Sequence, residues 1–180
     1  DNVIIGTDAG DAMTDNTGNV AIGKEALTAA DNSDNYNVAI GLQAMTAVNN
    51  EGVADYNVGI GFQTLSGGTS TGTNNVAIGR ASLSHGSAAC DSAVSIGYGA
   101  LAGATAAGAD NTIAIGTSAL AALTSGAGNV AIGFQALDAI TSSANNTAIG
   151  YNALTTCGDS YSNVAIGKDA GDTIQNSGGL

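Results

Sequence analysis

Apolar and polar positions along this chain follow one short pattern that returns ten times. The stretch Asn19-Val-Ala-Ile-Gly23-Lys-Glu-Ala-Leu27 recurs as Asn37-Val-Ala-Ile-Gly41-Leu-Gln-Ala-Met45, and again from Asn129 to Leu137 and from Asn146 to Leu154. The anchoring glycines are Gly6, Gly23, Gly41, Gly61, Gly79, Gly97, Gly116, Gly133, Gly150 and Gly167, with a period of 17 to 20 residues. Ile precedes every anchor, and Val stands two residues before that Ile in all copies except those of Ile113 and Thr147. Between them lies a small residue, Ala in seven copies and Ile4, Gly59 or Ser95 in the others. Alternation of this kind predicts a short strand with Val and Ile on one face, closed by a glycine turn.

Other columns complete the unit. Asn stands four residues before the anchor except at Ala93 and Thr112, and Leu or Met four residues after it except at Gly10 and Gly171. The Ala-Leu pair after the turn is expected to begin a second short strand. All length variation falls between that Leu and the next Asn, in stretches rich in Gly, Ser, Thr, Asn and Asp, which reads as a surface loop. A single unit cannot bury its own Val, Ile and Leu, whereas stacked units can. The expectation is an all-β fold: a parallel β-roll or β-helix solenoid of ten 17–20-residue rungs, one domain over residues 1–180. At about 4.8 Å per rung it makes a rod about 50 Å long. Val and Ile are placed in its core, so Ile132→Asp is expected to cost far more than Asp138→Ala. The alanine column is placed on the outer face, packed against a symmetric partner chain.

Composition narrows the function. The net charge is −12 with only three basic residues, which argues against nucleic acid and anionic membrane surfaces. No apolar run is long enough for a membrane span, and no membrane insertion is expected. With 10% charged residues and many β-branched ones, the chain is not of a disordered type. The frequent Gly and Asn argue against a helical bundle.

Chemistry-bearing residues are few. Gly18 to Lys24 nearly spells a phosphate-binding loop, but Glu25 stands where Ser or Thr must hold magnesium. His85 is the only histidine; with Ser84, Ser87 and Asp91 it lies in one variable loop where nothing orients a nucleophile. Cys90 and Cys157 lie about four rungs apart, beyond disulfide reach. Asp15, Asp31, Asp34, Asp55, Asp91, Asp110 and Asp159 read as solvated loop charges without the spacing of a known calcium loop. No catalytic site, metal or cofactor is expected. The Asn column is expected to bond the backbone and to stack as a ladder. The residue after each anchor carries every basic residue and four of the seven aromatics. Lys24, Phe62, Arg80, Tyr98, Phe134, Tyr151 and Lys168 are therefore the candidate recognition stripe, to be weighed against a permissive outward turn position.

The recurring Asn-Val-Ala-Ile-Gly-x-x-Ala-Leu resembles the N-T-A-I-G-Y-x-A-L repeat of bacteriophage tail fibres and tailspike-like proteins. Asn146 to Leu154 and Asn129 to Leu137 carry the likeness most closely. It also resembles the head repeat of YadA-like trimeric autotransporter adhesins, with Val94-Ser-Ile-Gly97 as a looser match and a longer period here. The resemblance implies a homotrimeric β-roll; with no catalytic constellation in the residues, the expectation is a non-enzymatic fibre segment that displays loops to a cell-surface glycan or protein receptor, on a virion or a bacterial surface. An adhesin head and a self-assembling extracellular filament are the alternatives. A polysaccharide-degrading spike would need paired carboxylates at a groove. The first and last copies replace Leu by Gly10 and Gly171 and follow it with Asp11 and Asp172. They read as caps or as a module boundary; the expectation is a fragment of a longer fibre, with end-to-end self-association.

Overall fold

The structure, a computed structural model, describes residues 1–30, 34–46, 54–67, 72–84, 90–104, 109–155 and 161–172. His85, Ser87, Cys157, Asp31 and Asp159 lie outside the described residues. The chain is a β-solenoid with one strand per repeat: β1 Val3–Ile5, β2 Val20–Ile22, β3 Val38–Ile40, β4 Val58–Ile60, β5 Val76–Ile78, β6 Val94–Ile96, β7 Ile113–Ile115, β8 Val130–Ile132, β9 Thr147–Ile149 and β10 Val164–Ile166. These form one all-parallel sheet in sequence order. Each column pairs with itself, as in Val20↔Val38, Ala21↔Ala39 and Ile22↔Ile40. No helix occurs among the described residues.

The anchor glycine sets the rung spacing. Gly41 has φ 132°, a region that L side chains rarely adopt, and a Cβ there would lie 2.5 Å from the Gly61 carbonyl oxygen. Gly23 stands in the same relation to Gly41, also at 2.5 Å. Only a residue without Cβ permits this approach. The Gly41 N–H in turn donates to the Ile22 carbonyl of the preceding rung at 2.8 Å.

After that turn the chain does not form the expected second strand. The residue two after the glycine and the Leu four after it both adopt left-handed backbone, for example Glu25 at φ 56° and Leu27 at φ 54°. From the second copy on, a third left-handed residue directly precedes the Asn column, as at Tyr36 and Asn145. Such conformations break the alternation that a strand needs. They cost free energy for non-glycine residues. Hydrogen bonds between rungs offset the cost: Leu27 N–H donates to the Ala44 carbonyl, Glu25 to Thr7 and Tyr36 to Thr17. At Gly10 and Gly171 the same left-handed position is filled by glycine, which adopts it freely.

The sheet faces are the reverse of the sequence expectation. In β2 to β9 the middle residue is buried while Val and Ile are only half-buried on the outer side. The interior is thin: the Ala column of the sheet meets the Ala-Leu column of the opposite wall, with Ala21, Ala26 and Leu27 fully buried. At the middle position of the strand there is room for little more than a methyl group. At the one rung where the middle residue is Gly59, a Cβ would meet Met45 Cγ at 2.7 Å and Thr64 Oγ1 at 3.2 Å. Where it is Ser95, the hydroxyl reaches the Ser82 hydroxyl at 2.6 Å and donates to the Ala100 carbonyl at 2.9 Å. Ile132 is therefore a half-buried outer residue. Asp138 is not fully solvated either, since burial pushes its carboxyl above the usual range. The large contrast expected between Ile132→Asp and Asp138→Ala does not follow from this structure; Ala131 and Leu137 hold the fully buried positions.

The Asn column does build a ladder. Asn37 N–H donates to Asn19 Oδ1 at 2.7 Å, and Asn57 N–H to Asn37 Oδ1 at 2.9 Å. The other end of each amide donates to the loop carbonyl of the next rung: Asn37 Nδ2 to Ala54, Asn57 Nδ2 to Gly72, Asn75 Nδ2 to Cys90. Only a side-chain amide supplies an acceptor and a donor at this length. At Ala93 the relay is interrupted: its N–H donates to Asn75 Oδ1, but its methyl group offers the next rung no acceptor.

These contacts predict unequal costs along one column. Gly41→Ala should lower the unfolding free energy by more than about 3 kcal/mol, because strain and a backbone clash add. Gly167→Ala should cost clearly less, since its Cβ would meet only Ala170 at 3.9 Å. Denaturant unfolding of the two variants measures the difference.

Candidate functional site

The column after the anchor glycines runs along the rod, and neighbouring members stack on one another in two groups. Phe134 and Tyr151 lie with ring centroids 5.1 Å apart and planes 13° from parallel. The Lys168 ammonium sits 5.9 Å from the Tyr151 centroid. The Arg80 guanidinium is held between Phe62, at 5.9 Å, and Tyr98, at 5.4 Å. Six of the seven sequence-selected residues thus fall into two stacks. The seventh, Lys24, stands apart and pairs with Glu25 at 3.1 Å. The cause is the rung spacing, which brings identical columns to about the stacking distance of aromatic rings.

This geometry limits what the stripe can contact. A sugar stacks on a ring face, whereas here faces are turned along the rod axis toward the neighbouring rung. The ring edges, the Tyr98 and Tyr151 side chains and the three cations remain accessible; Tyr98 and Tyr151 are about half exposed. Each exposed cation–π contact contributes about 0.5 to 1 kcal/mol, so the stacks also stiffen the turn.

Two neighbouring columns add to the surface. Gln43 Nε2 donates to Glu25 Oε2 at 2.7 Å, and Gln63 Nε2 to Gln43 Oε1 at 3.0 Å. The Gln43 amide first, and Lys24 second, hold the Glu25 carboxyl below its usual range. On the other border of the sheet Tyr36 and Tyr56 stack at 5.1 Å, 5° from parallel. Beside them runs a capping column, in which Asp55 Oδ1 accepts the Asn35 N–H, Asp91 Oδ1 that of Thr73, and Asp110 Oδ1 that of Asp91. These carboxylates read as solvated loop charges in the sequence; in the fold each ties its loop to the adjoining rung. Asp34 departs further, being fully buried with Oδ1 accepting the Ala54 N–H at 2.9 Å.

Among the described residues no group of His, Cys, Asp or Glu could hold a metal ion, no pocket forms, and no helix is long and apolar enough to cross a membrane. Lys24, the near phosphate-loop residue, follows β2 and Gly23 into a turn rather than a helix. Comparison with protein-family models, curated proteins and solved structures finds no match.

Burial pushes the Cys90 thiol up to about 11 from an ordinary 9.0. A raised folded-state value means that the neutral thiol stabilises the fold below the unfolded value. That contribution is lost as pH rises from 9.0 toward about 11. Cys90→Ala should flatten the alkaline arm of the stability curve in this window, measured by urea unfolding against the parent chain.

Proposed function

We infer that this chain is a structural, receptor-displaying segment of a trimeric extracellular fibre, of the kind that phage tail fibres use for host attachment. The observation that carries the reading is the uninterrupted one-sheet rod, in which every described rung repeats the same backbone hydrogen bonds to its neighbours. Such a rod is stiff along its axis, because bending must break the glycine contacts and the Asn ladder together. Its function is then mechanical: it spaces a tip from a base and holds loops at fixed intervals. Three copies side by side would multiply weak contacts to a glycan or protein receptor into useful avidity. The Asn-x-Ala-Ile-Gly-x-x-Ala-Leu resemblance supports the choice of fibre class. No covalent chemistry is assigned to the chain.

Electron microscopy of the native assembly, with an antibody against this segment, tests the reading. The antibody should decorate the shaft of a slender filament on a virion or cell surface, and light scattering of the purified segment should give the mass of three chains. Decoration of a compact intracellular particle would overturn it.

A further inference from the structure

The exposed apolar surface of the rod is gathered on one side. The outer Val and Ile of the sheet form a strip that runs its whole length and carries no charged residue. Among the described residues, every exposed large apolar or aromatic side chain lies on a strand or in the columns bordering the sheet. Leu42, Tyr98, Phe134 and Tyr151 follow the glycine, and Tyr36, Tyr56 and Tyr161 precede the Asn. Ten rungs at about 4.8 Å and three residues at about 3.3 Å make a strip of about 480 Å². Counting one border column of about 3.3 Å on each side raises it to about 800 Å². The result is close to the 800 Å² or so that each partner buries in an ordinary stable interface.

The two borders differ in charge. The border after the glycine holds all three cations of a chain that is otherwise acidic. Lys24 and Lys168 have acids beside them in their own chain, whereas Arg80 makes no ion pair among the described residues. The opposite border holds Asp55, Asp91 and Asp110. Asp91 Oδ1 accepts the Thr73 N–H at 2.7 Å, which places its carboxylate at the height of the rung that contains Arg80. In a parallel arrangement about an axis along the rod, the basic border of one copy meets the acidic border of the next at equal height. In an antiparallel face-to-face arrangement each border meets its own kind.

We propose that copies of this chain associate in parallel through the Val/Ile side of the sheet, with Arg80 of one copy facing Asp91 of its neighbour. A second copy fits where other partners do not: its Val and Ile ridges have the same spacing along the entire rod. Two chains of net charge −12 can also approach on this uncharged side without bringing their acidic loops together. The inference rests on the multi-chain reading above and names the surface that holds the chains.

The test uses the full chain with Cys90→Ala and Cys157→Ala. Chains with Val38→Cys mixed with chains with Ile40→Cys in this background should form a disulfide between copies on mild oxidation, because the Val side and the Ile side of one strand's column meet at equal height only in a parallel assembly. The pair Ile78→Thr and Ile96→Thr should weaken association at least about tenfold while leaving the circular dichroism spectrum unchanged, and Arg80→Glu should weaken it as well. Disulfides that form only between Ile40→Cys and Ile132→Cys chains would mean an antiparallel contact and overturn the proposal. Association unchanged in the threonine pair would overturn the choice of face while leaving the fibre reading intact. A parent chain that is single in solution, yet captures glycan or lipid through this strip, would overturn self-association and count against the trimer, while filament decoration in the microscope would still separate a fibre from other assemblies. Two chains rather than three would spare this proposal and count against the trimer.

Discussion

Backbone against backbone at the anchor glycines is the contact on which this rod depends. With a Cβ at Gly23 or Gly41 the next rung's glycine carbonyl would lie at 2.5 Å, so rungs reach hydrogen-bonding distance only where that atom is missing. Once one column is locked, every other column is locked at the same height. The Asn amides then reach the next Asn, Gln43 reaches Glu25 and Gln63 reaches Gln43, and rings separated by a full repeat come to lie face to face. The ladders follow from the spacing that the glycines impose.

Much of this was legible in the sequence. Ten strands, their parallel order and the Asn ladder follow from ten aligned columns. What could not be read was which side of the sheet faces inward. A period of two separates two faces but does not say which is buried. Hydrophobicity argued for Val and Ile inside, and volume decided otherwise, because the opposite wall supplies the buried Leu side chains and leaves the strand room for little more than a methyl group. The chain did carry a signal: Gly59 follows the rung of the larger Met45, and Ser95 is matched by Ser82. Substitutions paired across the interior identify an inner column better than hydrophobicity does. The missing second strand has a related cause. Left-handed residues at Glu25 and Leu27 turn the wall after the glycine into a chain of turns, and residues with ordinary side chains give little warning of that conformation.

The candidate stripe was legible as a column but not as a set of stacks. Position alone suggested rings open to a ligand; the rung spacing makes each stacked ring a neighbour's partner instead, with Arg80 held between Phe62 and Tyr98. The apolar residues left facing water are then the outer Val and Ile and the border columns. A rod with a narrow alanine-leucine interior and one uncharged apolar side is suited to lateral assembly.

The most direct test of this account compares one inner and one outer residue of the same strand. Ala131→Leu and Ile132→Thr should be unfolded by urea at dilution low enough to keep the chain single. Ala131 is fully buried against the opposite wall and Ile132 is half-buried outside. The account predicts a loss of about 3 kcal/mol or more for Ala131→Leu, at or beyond the usual range for overpacking, and a loss of under about 1.5 kcal/mol for Ile132→Thr. A tolerated leucine at 131 together with a severe loss at 132 would contradict it, placing Val and Ile in the core after all.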